Sequence, residues 1–319
     1  MPQRRAHILS VGTAVPQRVV SNADLEKTLD TSDEWITSRT GICCRHLVAA
    51  DDPASASDLG AQAAAEALKK AGLDAAQIDG VICATFTPDN FFPSTACSIA
   101  AKLGIQNASA FDLSAACAGF VYGIAVASSF IVSGQCSRML VVGTEIISKT
   151  LDWADRTTAI LFGDAAGAVV VEATDNDSRG ILTTHIGSDG RLGDILTLPA
   201  WGEDRFMKMK GSEVFKHAVR MMGESVETAL ASCGVDKSDI DLLIPHQANM
   251  RIIKSLADHL GLPMEKVVAN LKEYGNTSSA SIPLALNDAW QDGRVREGSL
   301  VVFTSLGGGL AYGSAVIRF

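Results

Sequence analysis

Cys117, in the stretch AFDLSAACAGF, is the side chain best suited to nucleophilic chemistry. Residues 111–113 read as the end of a buried strand and residues 118–132 as a buried helix, so the thiol falls at their joint. A thiol in a first helical turn faces unpaired N–H groups and the positive end of the helix dipole, a setting that favours thiolate near neutral pH. Ser114, Ala115, Ala116, Ala118 and Gly119 are small and leave room for a substrate. One more buried free cysteine, the common fate of that residue, fits this stretch as well. The second candidate is His246 in LLIPHQANMR, in the turn between a strand ending at Pro245 and a helix starting near Asn249. A lone histidine is more often structural. What favours chemistry here is its position at a strand end, which parallels the loop before Phe92.

The elements that must position these residues repeat. AGLDAAQIDGVI (71–82) resembles CGVDKSDIDLLI (233–244), SIAAKLGI (98–105) resembles SLADHLGL (255–262), and RMLVVGTE (138–145) resembles GSLVVFTS (298–305). The offset stays near about 160 residues, half the chain, which a chance match would not maintain. The sequence therefore reads as a duplicated α/β unit, with halves 1–174 and 175–319 joined through the polar, turn-rich residues 175–179. Duplication gives Cys117 a counterpart near Asn276 in EYGNTSSAS. If the halves pack about a pseudo-twofold axis, the two approach each other at facing helix N-termini, beyond the carboxyl ends of strands where ligands of α/β proteins collect.

Composition narrows the function classes. In 319 residues, 47% are hydrophobic but only 6% aromatic, which suits packed α/β layers of Ala, Val, Ile and Leu. The net charge of -9 argues against a general nucleic-acid or anionic-membrane binder, so any acidic partner must meet a local basic patch. Seven cysteines without a C-x-x-C pair or His-rich spacing indicate neither a zinc site nor a disulfide framework. The N-terminal MPQRRAHILSVGTAVP lacks the features of a signal peptide, and no apolar run approaches the ~18 to 20 residues of a membrane helix. A soluble cytoplasmic protein is expected.

Along the chain, residues 7–13 read as a first strand, 22–29 as a short helix capped by Ser21 or Asn22, 57–71 as a helix and 79–85 as a buried strand. DTSDEWITSRTGICCRH reads as a polar segment with an exposed Trp35. LFGDAAGAVVV reads as a buried strand pair, with Asp164 capping or paired internally. Cys43 and Cys44 receive no role.

With these motifs in hand, the sequence resembles the β-ketoacyl-acyl carrier protein synthase III family of the thiolase superfamily. The likeness runs through DEWITSRTGI, FPSTAC, DLSAACAGF, DRTTAILFGDAAGA, GSEVFKHAV, PHQANMRII, YGNTSSASIP and GGGLAYGSAVIRF, in matching order. It implies a five-layered αβαβα thiolase-like fold, a homodimer and a Cys117/His246/Asn276 triad. Elongating synthases of this fold resemble a Cys/His/His pattern and thiolases use a second Cys, so Asn276 disfavours both. Plant-type polyketide synthases share the triad but differ in the surrounding motifs.

The resemblance implies that acyl-CoA, as substrate, acylates Cys117, and that malonyl-acyl carrier protein then condenses with the acyl group, initiating fatty acid synthesis without metal or organic cofactor. The N–H groups of Cys117 and Gly308 would form the oxyanion hole, glycine letting backbone come close to the thioester oxygen. His246 and Asn276 would stabilise the enolate left by decarboxylation. Trp35 and Arg156 would flank the adenine of coenzyme A, Arg39 would meet its phosphates, and Gly211, Phe215 and Asn249 would line the pantetheine tunnel. A surface tryptophan, and an Arg156 paired with Asp152 or Asp155, are the plainer alternatives. Phe92 would reach the floor of the partner subunit's acyl pocket, unless FFP is ordinary core. Lys216, Arg251 and Lys254 would dock the acidic carrier protein, although Asp258 and His259 stand where some relatives carry lysines, and a solvated charged face explains each cation singly. Two other functions remain open: a CoA-primed acyltransferase or ketosynthase of secondary metabolism, and a non-catalytic partner subunit, which Cys117 disfavours. Primer length and branching are not fixed by residue identity.

Overall fold

Strands at residues 80–84, 138–145, 165–174, 242–245 and 300–307 are near-continuous apolar runs rather than alternating ones, as strands buried on both faces require. The computed structural model describes residues 4–319; residues 1–3, part of the stretch read as lacking a signal peptide, lie outside the described residues. One sheet contains β1 (Arg5–Ala14), β2 (Gly80–Ala84), β3 (Ser109–Leu113), β4 (Arg138–Glu145) and β5 (Ala165–Thr174), in the order β1-β5-β4-β2-β3. A second contains β6 (Gly180–Ser188), β7 (Leu242–Pro245), β8 (Leu300–Gly307) and β9 (Ala311–Arg318), in the order β7-β8-β9-β6. Both sheets mix directions in the same way. β4 runs parallel to β2 and antiparallel to β5, as β8 runs parallel to β7 and antiparallel to β9. Where the first sheet has β3, the second has only a single parallel bridge from Leu243 to Val267.

Among the described residues, seven helices have eight residues or more: α1 (Asp33–Thr40), α2 (Ala56–Ala71), α3 (Thr95–Leu103), α4 (Gly119–Val132), α5 (Gly211–Cys233), α6 (Met250–Leu260) and α7 (Ser281–Gln291). α2 and α3 cover the outer face of the first sheet, α5 covers the outer face of the second with α6 packed against it, and α4 and α7 fill the space between the sheets. The result is the five-layered αβαβα order. Small residues make the inner layer possible: α4 is apolar nearly all round, and its Phe120 meets Phe303 of β8 with ring centroids 6.3 Å apart.

Local signals set the boundaries. Ser55 caps α2 in a capping box with Asp58, and Gly72 ends it in the left-handed region at φ 66°. The segment read as merely polar around Trp35 is α1, capped by Ser32 and closed by Gly41 at φ 80°. Its mean hydropathy hid a helix held by caps rather than by an apolar stripe. The expected helix over 22–29 is one turn, Asn22–Leu25, capped by Ser21. LFGDAAGAVVV is not a strand pair: it yields the single strand β5, which pairs with β1 and β4 instead of with itself. Asp164, just before it, accepts from Val48 N–H at 2.8 Å, Ser148 N–H at 2.9 Å and Ser148 Oγ at 2.6 Å.

The sheet's contact with the chain's other half is tight at Gly143 of β4. A Cβ there would stand 2.3 Å from the carbonyl oxygen of Ser279, in the turn before α7. Gly143→Ala is therefore expected to destabilise the protein by about 1–3 kcal/mol, the usual range for overpacking. Thermal unfolding checks this, and an unchanged midpoint would mean that the Ser279 turn retreats freely.

Candidate active site

Cys117 sits where β3 hands over to α4. A 3-10 turn, Ala116–Ala118, precedes Gly119, and Ala116 is held at φ 45°, an unusual value for a residue with a side chain. The second half supplies the other support. Ser278, itself at φ 51°, donates through Oγ to Cys117 Sγ at 3.2 Å, and Ser305 Oγ of β8 donates to the Cys117 carbonyl at 2.6 Å. Two non-glycine residues in the left-handed region beside one sulfur cost about 1–3 kcal/mol each, a strain characteristic of functional sites.

Serines also orient His246 and Asn276. Ser281 Oγ lies 2.7 Å from His246 Nδ1 and accepts from Gln247 N–H at 3.4 Å. In the tautomer in which that hydroxyl donates to Nδ1, Nε2 carries the hydrogen and is the ring's donor toward the cavity. Asn276 Oδ1 accepts from Ser278 N–H at 2.9 Å, so its Nδ2 is the donor end left over. Both side chains line the cavity that contains Cys117. The site thus presents a thiol and two neutral N–H donors.

Burial sets the charges. Cys117 is pushed up to about 12, although the Ser278 hydrogen bond works against the rise, and Glu145 adds to it. The expectation of a resting thiolate at the helix start is therefore corrected: Cys117 is 7% exposed and the desolvation of an anion outweighs the hydrogen bonds offered to it. Burial also depresses His246 to about 3, so it stays a neutral donor at working pH.

The cavity, about 810 Å³, is of ligand-binding size and is lined by Cys117, His246, Asn276 and Gly308 together with Trp35, Arg39, Gly211, Phe215, Asn249 and Arg251. The carbon-rich part of its wall includes Phe86, Leu198, Met207 and Met222, none of which sequence reading singled out. Trp35 is 37% exposed, with the guanidinium of Arg39 5.8 Å and that of Arg156 5.3 Å from its ring centroid. Arg156 does not pair with Asp152 or Asp155; it lies 3.6 Å from the Asp30 carboxylate and donates to the Asp30 carbonyl. Asn249 caps α6 through Arg251 N–H and donates to the Arg39 carbonyl at 3.2 Å, tying α6 to the end of α1.

Arg156 flanks Trp35 without lining this cavity, and two further groups of expected residues lie apart from it. Phe92 is 86% exposed, which rules out ordinary core packing, and it does not line the cavity of its own chain. Lys216 and Lys254 are exposed on α5 and α6, near Arg251, which lies 5.9 Å over the Phe215 ring; among the described residues none of the three cations forms an ion pair. Asp258 and His259 are exposed on the same helix as Lys254. Ser278 and Ser281 of YGNTSSASIP, and Ser305 of strand β8, were missed because a serine is visible in the sequence while the direction of its hydroxyl depends on the turn or strand that carries it.

Two family models match the chain, 3-oxoacyl-[acyl-carrier-protein] synthase III over residues 111–190 and its C-terminal part over residues 230–319. A β-ketoacyl-[acyl-carrier-protein] synthase III of Acidiphilium cryptum (strain JF-5) is 51% identical over 321 residues, covering 99% of this chain and 100% of that protein. The chain belongs to the β-ketoacyl-acyl carrier protein synthase III family. A relative of the same name from Methylococcus capsulatus is 48% identical, covering 99% of each chain. In three dimensions, the crystal structure of 3-oxoacyl-[acyl-carrier-protein] synthase III from Aquifex aeolicus VF5 matches with a TM-score of 0.95 at 45% identity, covering 98% of this chain and 100% of that one. The chain is thus a thiolase-like condensing acyltransferase of fatty acid biosynthesis. Among the described residues no group of His, Cys, Asp or Glu is placed to hold a metal ion, and no helix is long and apolar enough to cross a membrane.

A neutral, buried His246 has a consequence for stability. The unfolded chain protonates this imidazole near its ordinary 6.5 and the folded chain only near 3, so the unfolded state binds more protons between those values. The associated stability is present above pH 6.5 and is lost as the pH falls toward 3. His246→Gln is expected to flatten the acid limb of a plot of thermal midpoint against pH; an acid limb as steep as in the parent protein would assign it to other groups.

Proposed function

We propose that Cys117 takes the acyl group from a short acyl-CoA primer, acetyl-CoA first among them, and passes it to malonyl-acyl carrier protein. The observation that carries this reading is one cavity lined by a thiol and two oriented N–H donors. In the first half-reaction Cys117 Sγ attacks the thioester carbon as its proton is lost, the oxyanion lies on the N–H groups of Cys117 and Gly308, and the C–S bond to coenzyme A breaks. The proton ends on the departing thiol. In the second, the malonyl C–C bond breaks to release carbon dioxide, and the thioester oxygen of the enolate accepts from His246 Nε2 and Asn276 Nδ2. The enolate carbon attacks the acyl-cysteine, and Cys117 leaves and recovers a proton.

Neutral donors suit that second step better than cations. They stabilise charge that develops on oxygen without holding the malonyl carboxylate that must depart. At the mouth, Trp35 and Arg156 would take the adenine between them once Arg156 swings from the ring, and Arg39 would meet phosphate. Gly211, Phe215 and Asn249 would line the pantetheine path. The unpaired cations Lys216, Arg251 and Lys254 would receive the acidic carrier protein. An exposed Phe92, beside a Phe91 stacked on Trp201 at 5.1 Å, is suited to entering a second copy's acyl pocket, so we take the protein as a homodimer. Its two units would be residues 1–174 and 175–319. Carrier protein as substrate and seven free cysteines fit a cytoplasmic enzyme, and the two thioester substrates supply all the chemistry without a cofactor.

Intact-mass measurement after mixing with acetyl-, isobutyryl- or octanoyl-CoA, followed by malonyl-acyl carrier protein, tests the scheme. One acyl mass is expected to appear, to be absent in Cys117→Ser, and to be discharged by the chase. His246→Ala and Asn276→Ala should still acylate but condense about 10²–10³-fold more slowly, the usual loss with one oxyanion donor. A protein that no primer acylates would sink the reading for these substrates.

A further inference from the structure

Glu145, the last residue of β4, has no place in either half-reaction, yet it is a fully buried carboxyl with no cation beside it. Its two oxygens have different surroundings. Oε2 accepts from Thr87 Oγ1 at 2.6 Å, Thr85 Oγ1 at 3.1 Å, and the N–H groups of Phe86 and Thr87 at 3.2 Å each. Oε1 faces Ser279 Oγ at 3.0 Å, with Phe86 N–H at 3.4 Å. Ser279 Oγ also lies 2.9 Å from the Ala84 carbonyl, and one hydroxyl has one proton to give. With Glu145 ionised, Ser279 must choose between two acceptors. With Oε1 protonated, Glu145 donates to Ser279 and Ser279 donates to Ala84, and every partner is satisfied.

Ser279 follows Ser278, the residue whose hydroxyl donates to Cys117 Sγ. We propose that Glu145 is a positioning residue for the nucleophile: through the Ser278–Ser279 turn and its own charge, its proton sets how readily the Cys117 thiol ionises. Ionised Glu145 places a second negative charge near the sulfur and opposes thiolate; protonated Glu145 relieves it. Burial brings the carboxyl to about 7, so the two forms exchange within the working range. Other ionisable groups near this end of the sheet do not replace it. β2 contributes the buried Cys83 thiol, which burial pushes well up; Asp112 of β3 is engaged by the N–H groups of Thr95 and Ala96, and Asp89 by that of Ser57 at the start of α2. β5 offers Ala165 opposite Glu145, and the Ser278–Ala280 turn brings only hydroxyls.

The inference rests on Cys117 being the nucleophile, but its test reads the thiol directly, so a failure of acyl transfer and a failure of coupling are distinguishable. The rate of iodoacetamide alkylation at the Cys117 peptide is followed by mass spectrometry from pH 6 to 10. The parent protein is expected to show a flattened step near neutral pH, where Glu145 ionises and restrains the thiol. Glu145→Gln should lose the step and react about threefold or more faster above pH 8, with little change at pH 6. Glu145→Asp, which keeps the charge, should keep a step. Ser279→Ala, which removes a donor to the ionised form, should move the step to higher pH and serves if Glu145→Gln does not fold. Profiles of one shape in parent, Glu145→Gln and Ser279→Ala would overturn the proposal.

Discussion

The hydrogen bond from Ser278 Oγ to Cys117 Sγ crosses from one sheet's territory to the other's, and the site exists only where it forms. Cys117 leaves β3 at the edge strand of the first sheet, while Ser278 begins the approach to α7. Their meeting requires both inner helices to lie with N-termini converging between the sheets. The approach is tight at two glycines: a Cβ at Gly119 would stand 3.0 Å from that of Ala84, and one at Gly143 2.3 Å from the Ser279 carbonyl oxygen. Ser305, reaching the Cys117 carbonyl from β8, makes the junction three-sided.

The polar groups at this junction are satisfied by hydroxyls and backbone amides rather than by ion pairs. Cys117, His246 and Glu145 are all buried, and in each case desolvation is the largest influence on the proton. With Cys117 and His246 neutral, the network keeps its geometry without the solvation penalty of separated charges, and Glu145 is the one member whose charge changes near neutral pH. It also leaves the reaction's own charge, on an oxyanion or enolate, as the strongest electrostatic feature in the cavity during turnover. Donors fixed beforehand by Ser281 and Ser278 need not reorganise when that charge appears.

Much of this was legible in the chain. The offset repeats read as a duplicated α/β unit, and the chain forms two sheets of like order; Cys117, His246 and Asn276 were placed at element ends by the sequence, Gly308 by the resemblance, and all four line one cavity. Residues whose role depends on side-chain direction were not legible. Ser281 reads as a helix residue until His246 is seen beside it, and Trp35 as an isolated aromatic until caps at Ser32 and Gly41 make a helix of its segment. The thiolate expected at Cys117 failed for a related reason: a helix start is visible in a sequence, but the depth of burial that opposes it is a property of five stacked layers. Phe92 shows the converse, an apolar residue whose surroundings within one chain leave it in solvent.

The close seating of the Ser279 carbonyl over Gly143 bears on how such a molecule could have arisen and been kept. A free-standing copy of the first unit would carry a thiol lacking its donors, and a copy of the second would carry donors lacking a thiol. Joining both units in one polypeptide fixes their ratio at one to one and spares them a search for each other at cellular dilution. If the two units arose by duplication, fusion left each free to diverge, and the chain has a full edge strand at β3 in one sheet and a single bridge at Val267 in the other. Asymmetry of that kind is open to a fused pair and closed to two identical chains.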